Sequence, residues 1–227
     1  MKSITRPAAV VTAALLAAAT LAAAPNLLRA QQSAPPADSV AEAPAAATAL
    51  DDRATLLADL ERTRSLFLAA IDGLSEAQWN WRPAPDRWSV GECAEHITRT
   101  EAALRGAIAG VASGPVDAEM LAKSHGKVAA IREKLVDRSF KAQAPEPLNP
   151  MQAGDVRPAA AIVGDFNFER GRVYELATSA DLLGHAAMNP VVGELDLLGW
   201  IYFLSGHVER HTLQIEEVKA SEGYPAR

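Results

Sequence analysis

Two histidines, His207 and His211, stand four residues apart in the stretch GHVERHTLQI near the end of the chain. Side chains at this spacing lie on one face of an α-helix, so both imidazoles could reach one metal ion. The spacing also fits two hydrogen-bonded histidines in the core of a helical protein. Because two ligands do not complete a metal site, the interpretation depends on a third group elsewhere in the sequence.

A third histidine, His96, lies two turns into an earlier predicted helix. Cys93, Ile97 and Thr100 share its side of that helix, which favours an imidazole that points toward the interior. Three imidazoles from two facing helices would leave coordination positions open for water or a substrate, as catalytic metal sites do. The sequence therefore predicts either a three-histidine metal centre or a hydrogen-bonded histidine cluster in the core.

Two common metal motifs do not fit these histidines. The zinc-protease motif needs Glu directly after the first histidine, but Val208 stands there, and Glu209 falls on roughly the opposite helix face. Ferritin-like di-iron proteins use Glu-x-x-His on two helices, and none of the five histidines has Glu three residues before it. The sequence argues against both classes of protein.

Five other residues are weaker candidates. Cys93 could be a fourth ligand, although a small buried apolar residue is the favoured interpretation. Glu92 is predicted to cap a helix, and Gln214 could orient a ligand or a bound water. His185, in the loop before the last helix, could border the site, although an exposed loop histidine is favoured. His125 is predicted to be exposed.

Four amphipathic segments would position these residues. In each of them apolar residues recur at the three- and four-residue spacing of a helix. Ser89 and Glu92 form a capping-box pattern at the start of the second segment, and Asp196 is the predicted N-cap of the fourth. The predicted helices cover residues 51–71, 90–109, 159–179 and 197 to about 218.

The segments between these helices indicate an all-α fold. No segment shows strand alternation, so we expect a four-helix bundle with a long crossover between the second and third helices. The crossover holds one short helical pattern, carried by Val128, Ile131 and Leu135. It cannot be one continuous helix because of its prolines, which are Pro145, Pro147, Pro150 and Pro158.

The first 49 residues are predicted to lie outside the folded domain. Residues 1–30 have the basic start, apolar run and small-residue end of a signal peptide cleaved near Ala30, which predicts a periplasmic or secreted protein. An uncleaved membrane anchor is the alternative. A lipid-anchored lipoprotein is not expected, because no cysteine directly follows the apolar run. Residues 31–49 are predicted to be a disordered Ala/Pro-rich linker, and residues 50–222 a single domain.

The net charge and the cysteine content limit which partners and which covalent cross-links the protein can have. The net charge is −6 and no Lys/Arg stripe is present, so we expect no nucleic-acid partner and instead a small-molecule substrate. The single cysteine, Cys93, cannot form an intramolecular disulfide, so the domain must be held together by packing.

Two stretches resemble the DinB-like superfamily (DinB/YfiT type). They are RPAPDRWSVGECAEHITRTE over residues 82–101 and NPVVGELDLLGWIYFLSGHVERHTLQI over residues 189–215, within a similarity that covers about residues 50–220. The resemblance implies a four-helix bundle that holds a divalent metal, usually nickel or zinc, through one histidine of the second helix and two of the fourth. The implied ligands are His96, His207 and His211. Asn189 departs from the pattern, since relatives often have histidine there.

The resemblance leaves the activity open between several functions. One is a metal-dependent hydrolase, and another is a transferase or isomerase that uses a low-molecular-weight thiol. Export counts against thiol chemistry, because such thiols are kept mainly in the cytosol. The alternative to an enzyme is a non-catalytic bundle that binds a metal or ligand, or a structural module that forms a homodimer.

Overall fold

The computed structural model describes residues 44–139, 143–152 and 156–226. The predicted signal peptide and most of the predicted linker lie outside these residues. In chain order the helices are α1 (Pro44–Ile71), α2 (Glu76–Asn80), α3 (Val90–Ala112), α4 (Ala118–Ser124), α5 (Val128–Val136), α6 (Ala159–Ser179) and α7 (Leu197–Lys219). The long helices α1, α3, α6 and α7 form the bundle, which confirms the predicted all-α fold.

Helix α1 begins at Pro44, inside the stretch predicted to be linker. Alanine has the highest helix propensity and proline is tolerated in the first helical turn, so the Ala-rich end of this stretch can extend the helix. The helix stops at Ile71, and Gly73 then adopts a left-handed conformation with φ of 64°. The predicted end of the first helix is therefore confirmed.

Local capping fixes the start of α3. The Ser89 hydroxyl accepts the Glu92 backbone N–H at 3.1 Å, and the Glu92 carboxylate accepts the Ser89 N–H at 2.8 Å. Arg82 forms an ion pair with the same carboxylate. The predicted capping box is confirmed, and it sets the helical phase that turns His96 inward.

The bundle has two pairs of parallel helices, α1 with α7 and α3 with α6. Helices α1 and α7 run in the same direction, since Thr63 meets Ser205 near their middles and Lys219 Nζ donates to Ala70 O near their ends. Helix α3 is antiparallel to α7. The first half of α3 packs with the second half of α7, and the second half of α3 packs with the first half of α7. Helices α1 and α3 each pack against both α6 and α7.

The crossover between α3 and α6 packs over one flank of the bundle, as predicted. Helix α5 lies against α7 through the buried Ile131 and Leu135. Two 3₁₀ turns follow, at Glu146–Leu148 and Pro150–Gln152, and both contact α3. The crossover therefore spans α7 and α3, the two helices that carry the candidate ligands.

A short β-hairpin corrects the prediction that no strand is present. Strand β1 (Ala186–Asn189) pairs in antiparallel register with β2 (Gly193–Asp196), directly before α7. Asn189 Oδ1 accepts the N–H groups of Val191 and Val192 at 2.9 and 3.2 Å, which closes the turn. Strands of four residues are too short to show an alternating pattern, so the sequence did not indicate them.

The described residues contain no helix that is long and apolar enough to cross a lipid bilayer. The apolar run near the N-terminus lies outside these residues.

Candidate metal centre

The three candidate ligands meet where the first half of α3 faces the middle of α7. Each of His96, His207 and His211 offers a ring nitrogen, and these nitrogens all lie within 4.8 Å of one another. The ring centroids are 4.4 to 5.0 Å apart. The structure thus brings the three histidines together as expected, while their binding of a metal stays a prediction.

A backbone carbonyl sets the protonation of His96. Its Nδ1 lies 2.8 Å from Leu148 O, and since a carbonyl can only accept, Nδ1 carries the hydrogen. The Nε2 atom of the neutral ring therefore presents a lone pair, and it lies 3.2 Å from Nε2 of His207. If His207 carries its hydrogen on Nε2, the contact is a hydrogen bond donated to His96; if it carries it on Nδ1, both nitrogens present lone pairs that could share a cation.

The ring of His211 is held in the same way by a side chain. Its Nδ1 lies 2.9 Å from Oε1 of Gln214, one turn further along α7. A hydrogen bond from Nδ1 to this oxygen leaves Nε2 free for a ligand role. The expectation that Gln214 orients a ligand is consistent with this contact. Leu148 was not expected, because no sequence signal marks a backbone carbonyl that arrives from a distant crossover.

The electrostatic surroundings keep the imidazoles neutral. Burial lowers the pKa of His96 below its usual value. Burial, the neighbouring imidazole of His96 and the charge of Arg210 lower the pKa of His207 well below 6.5. Burial and the other two rings do the same for His211, with a contribution from Arg138. A metal binds only unprotonated imidazole, so these shifts favour binding at neutral pH.

The side chain of Trp88 flanks the centre. The indole of Trp88 lies 4.9 Å from the ring of His96 and stacks on that of His211 at 6.0 Å and 29°. Trp88 precedes the N-cap of α3, so the residues that start the helix also support ligand rings from two helices. The indole therefore covers one side of the His96 and His211 rings.

Cys93 and His125 lie where the favoured interpretations placed them. Cys93 is fully buried, burial raises the pKa of its thiol, and it is not a member of the three-histidine group. The side chain of His125 is 54% exposed and its Nδ1 lies 3.5 Å from a carboxylate oxygen of Asp196. Neither residue contributes to the histidine centre.

His185 and Asn189 lie beside the start of α7, away from the centre. The carbonyl of His185 accepts the N–H of Leu197, the first residue of α7, which lies about 15 Å along the helix from His207. The expectation that His185 borders the centre is therefore wrong. The favoured alternative of an exposed side chain is also wrong, because His185 is half-buried and its Nδ1 is buried. Asn189 is buried in the hairpin and shapes its turn rather than the rim of the centre.

Two surface cavities lie away from the centre formed by His96, His207 and His211. One, of about 460 Å³, is lined by Leu68, Ile71 and Val163 between the end of α1 and the start of α6. The other, of about 270 Å³, lies at the start of α7 beside His125 and Asp196. The histidine centre borders neither of them.

Comparison with known proteins identifies the family. The sequence profile of the DinB superfamily matches residues 59–215, a stretch that includes all three histidines. The chain belongs to the DinB superfamily. It is 25% identical over 158 residues to the uncharacterized protein YuaE of Bacillus subtilis (strain 168), which covers 66% of this chain and 88% of YuaE.

The fold is also similar to a solved structure. YfiT from Bacillus subtilis, described as a probable metal-dependent hydrolase with an unusual four-helix bundle topology, superposes with a TM-score of 0.51. The match covers 84% of this chain and 94% of that chain at 13% identity. At this identity the likeness shows the fold alone.

Proposed function

We propose that this protein is an exported metalloenzyme that hydrolyses a small-molecule substrate at a divalent ion held by His96, His207 and His211. The observation that supports the proposal most directly is the convergence of three ring nitrogens within 4.8 Å, with His96 Nδ1 already engaged by Leu148 O. A hydrogen-bonded histidine cluster would show the same contact between the Nε2 atoms of His96 and His207, so measured metal content is what separates the two interpretations.

The donor set fits nickel or zinc. Neutral imidazole is a good ligand for both ions, whereas magnesium and calcium favour oxygen ligands. Three protein ligands also leave positions open, which distinguishes catalytic from structural zinc sites. When bound, a divalent ion would supply a Lewis acid and would lower the pKa of a coordinated water molecule.

The chain itself orients the ligands and limits access of solvent. Leu148 O and Gln214 Oε1 hold the Nδ1 hydrogens of His96 and His211, so both rings are locked in one tautomer and one orientation. Trp88 covers one side of both rings. A substrate would have to reach the ion from a side that Trp88 does not cover.

Thiol transfer remains a second reaction for the same centre, and the description of YfiT as a probable hydrolase favours hydrolysis. A non-catalytic metal-binding bundle is the other candidate, because nearby acids are engaged. Glu92 caps α3 and pairs with Arg82, and Glu217 pairs with Arg138. Neither carboxylate is free to act as a general base.

Metal content decides between these functions and a plain histidine cluster. Protein purified without a His tag should contain about one nickel or zinc ion per chain by mass spectrometry of the metals. His207→Ala should lose most of it, and His125→Ala, which alters an exposed histidine at the other end of α7, should retain it. Wild-type protein that takes up neither ion would refute the proposal.

Activity then separates an enzyme from a metal-binding module. Chelated, nickel-loaded and zinc-loaded protein should be compared on a panel of small esters and amides, with and without an added thiol. Turnover that needs the ion but not the thiol supports hydrolysis, and turnover that needs both supports transfer. A loaded protein that turns over none of the panel favours the non-catalytic bundle.

A further inference from the structure

A buried hydroxyl on α3 has no hydrogen-bond partner. The side chain of Thr100 is 6% exposed, and its Oγ1 is one of four buried polar side-chain atoms without a partner among residues 44–139, 143–152 and 156–226. The other three belong to His185, Asn189 and Tyr224, which lie outside the helices that carry the candidate ligands. An unpaired buried hydroxyl lowers stability, so it indicates a partner from outside the chain, such as water or a bound group.

The Thr100 hydroxyl does not make the bond that its helical neighbours make. Thr98 Oγ1 and Thr212 Oγ1 each donate to the backbone carbonyl four residues earlier, at 3.0 and 2.8 Å. For Thr100 this carbonyl belongs to His96, and Thr100 Oγ1 makes no bond to it. The hydrogen of the Thr100 hydroxyl is therefore available to an acceptor that the described residues do not supply.

The position of Thr100 brings this hydroxyl next to the histidine centre. Thr100 follows His96 by four residues on α3, so the two side chains share one helix face and their Cβ atoms lie about 5–6 Å apart. Side chains of a helix lean toward its N-terminus, which tilts Thr100 back toward His96. Because α3 and α7 are antiparallel, one turn forward on α3 corresponds to one turn back on α7, from His211 to His207. Thr100 therefore lies on the His207 side of the centre.

The chemistry of a hydroxyl limits what Thr100 can do there. Nickel and zinc sites in proteins are built from imidazole, thiolate and carboxylate, and a neutral threonine hydroxyl is not among their usual ligands. A hydroxyl is, however, a good hydrogen-bond donor to an oxygen atom held beside it. The role that fits Thr100 is a hydrogen bond to a molecule on the ion rather than to the ion itself.

We propose that Thr100 is a further functional residue of the three-histidine centre, and that its hydroxyl donates a hydrogen bond to the oxygen atom of a water molecule coordinated to the ion. The inference rests on the proposed function, because it requires an ion on the three histidines. The bond orients the water and favours its deprotonated form, since a hydrogen bond to an anion is stronger than one to a neutral acceptor. The hydroxyl that lacks a partner in the metal-free fold gains one when the centre is loaded.

Metal-free protein tests whether the hydroxyl is unpaired. Thr100→Val replaces it with a methyl group in a side chain of the same shape, so the midpoint of thermal unfolding of chelated protein should not fall. Thr98→Val is the matched control on the same helix, because Thr98 is 4% exposed and its hydroxyl is bonded. The control should lower the midpoint by about 2–4 °C, as expected for one lost hydrogen bond. A midpoint of Thr100→Val that falls as far as that of the control would overturn the inference.

Cobalt-loaded protein tests the bond to the coordinated water without relying on catalysis. The visible absorption of Co(II) reports its ligands, so a pH titration of the loaded protein follows deprotonation of this water. Thr100→Val should raise the pKa of the water by about one unit, a tenfold change in its acidity. Thr100→Ser keeps the hydroxyl and should titrate close to wild type. Both variants should bind Co(II) with the wild-type stoichiometry, because neither changes a ligand.

The outcomes separate this inference from the proposed function. Wild-type protein that binds no Co(II) contradicts the metal centre itself. Two results contradict the role of Thr100 alone: wild-type protein that binds Co(II) but shows no deprotonation step, and a Thr100→Val variant that titrates as wild type does. A pKa raised equally in Thr100→Val and Thr100→Ser would also contradict it, because the serine variant retains the donor.

Discussion

His96 and His211 each use Nδ1 for a hydrogen bond to the protein and keep Nε2 for the centre. The acceptors differ, since Leu148 contributes a backbone carbonyl and Gln214 a side-chain amide. A substitution can therefore remove the second acceptor but not the first. This makes Gln214 the residue at which the orientation of a ligand can be tested without changing the ligand itself.

Gln214→Leu should weaken metal binding about tenfold, because loss of an acceptor behind a ligating imidazole typically costs this much affinity or more. Gln214→Glu keeps an acceptor oxygen in place and should bind the metal at least as tightly as wild type. Competition with a chromophoric chelator measures both affinities. Equal affinities for the Leu and Glu variants would show that the contact between Gln214 and His211 does not support the site.

The lowered pKa values of the three histidines predict how the metal-free protein responds to acid. Their folded-state pKa values lie below the unfolded value of about 6.5, so the unfolded chain binds more protons below that pH. Stability is therefore fully present above about pH 6.5 and falls as the pH drops from there toward the folded pKa values. Thermal unfolding of chelated protein between pH 8 and pH 5.5 should show this loss. His207→Phe should show a shallower decline.

At the scale of the helices, a buried ion pair fixes how α3, α6 and α1 meet. Arg170 Nε donates to Glu101 Oε1 at 2.5 Å, and one of its Nη atoms donates to Leu60 O at 2.7 Å and to Thr63 Oγ1 at 3.1 Å. Both charged side chains are almost fully buried. A pair of this kind specifies one register, because any slip of one helix leaves a buried charge without its partner.

Breaking this pair should be costly. Glu101→Gln leaves the Arg170 charge buried without a counter-charge and should lower the free energy of unfolding by about 3–5 kcal/mol. The double variant Glu101→Leu/Arg170→Met removes both charges and should lose less. Urea unfolding measures the difference, with Arg172→Met on the exposed face of α6 as control. A single variant no less stable than the double one would contradict the role of the pair.

The elements that the sequence revealed are those with local signals. The capping box of Ser89 and Glu92 and the apolar spacing of the four long helices arise within one or a few turns, so the sequence alone predicts them. The same kind of local signal marks α2, where Ser75 and Gln78 form a second capping box. The hairpin and the carbonyl of Leu148 depend on packing between distant segments, which no local pattern encodes.

At the scale of the whole molecule, the centre lies away from the start of α1. Asp52, near the start of the described side chains of α1, lines the same cavity as Asp196 at the start of α7, whereas His207 and His211 lie about three and four turns further along α7. The histidines are therefore separated along the bundle axis from the first turns of α1. The parallel course of α1 and α7 produces this arrangement.

The N-terminal segment has the sequence pattern of a cleaved signal peptide. Lys2 and Arg6 would be its basic start, the apolar run its core and the small residue Ala30 its cleavage point, so we expect the mature protein to begin near Gln31 and to lie outside the cytoplasm. Mass spectrometry of protein isolated from its native host, together with fractionation of the cells, measures both. An intact Met1 on a membrane-associated protein would show instead that the run of about 17 residues is retained as an anchor, at the short limit of what spans a bilayer. In that case the histidine centre would still lie away from the start of α1.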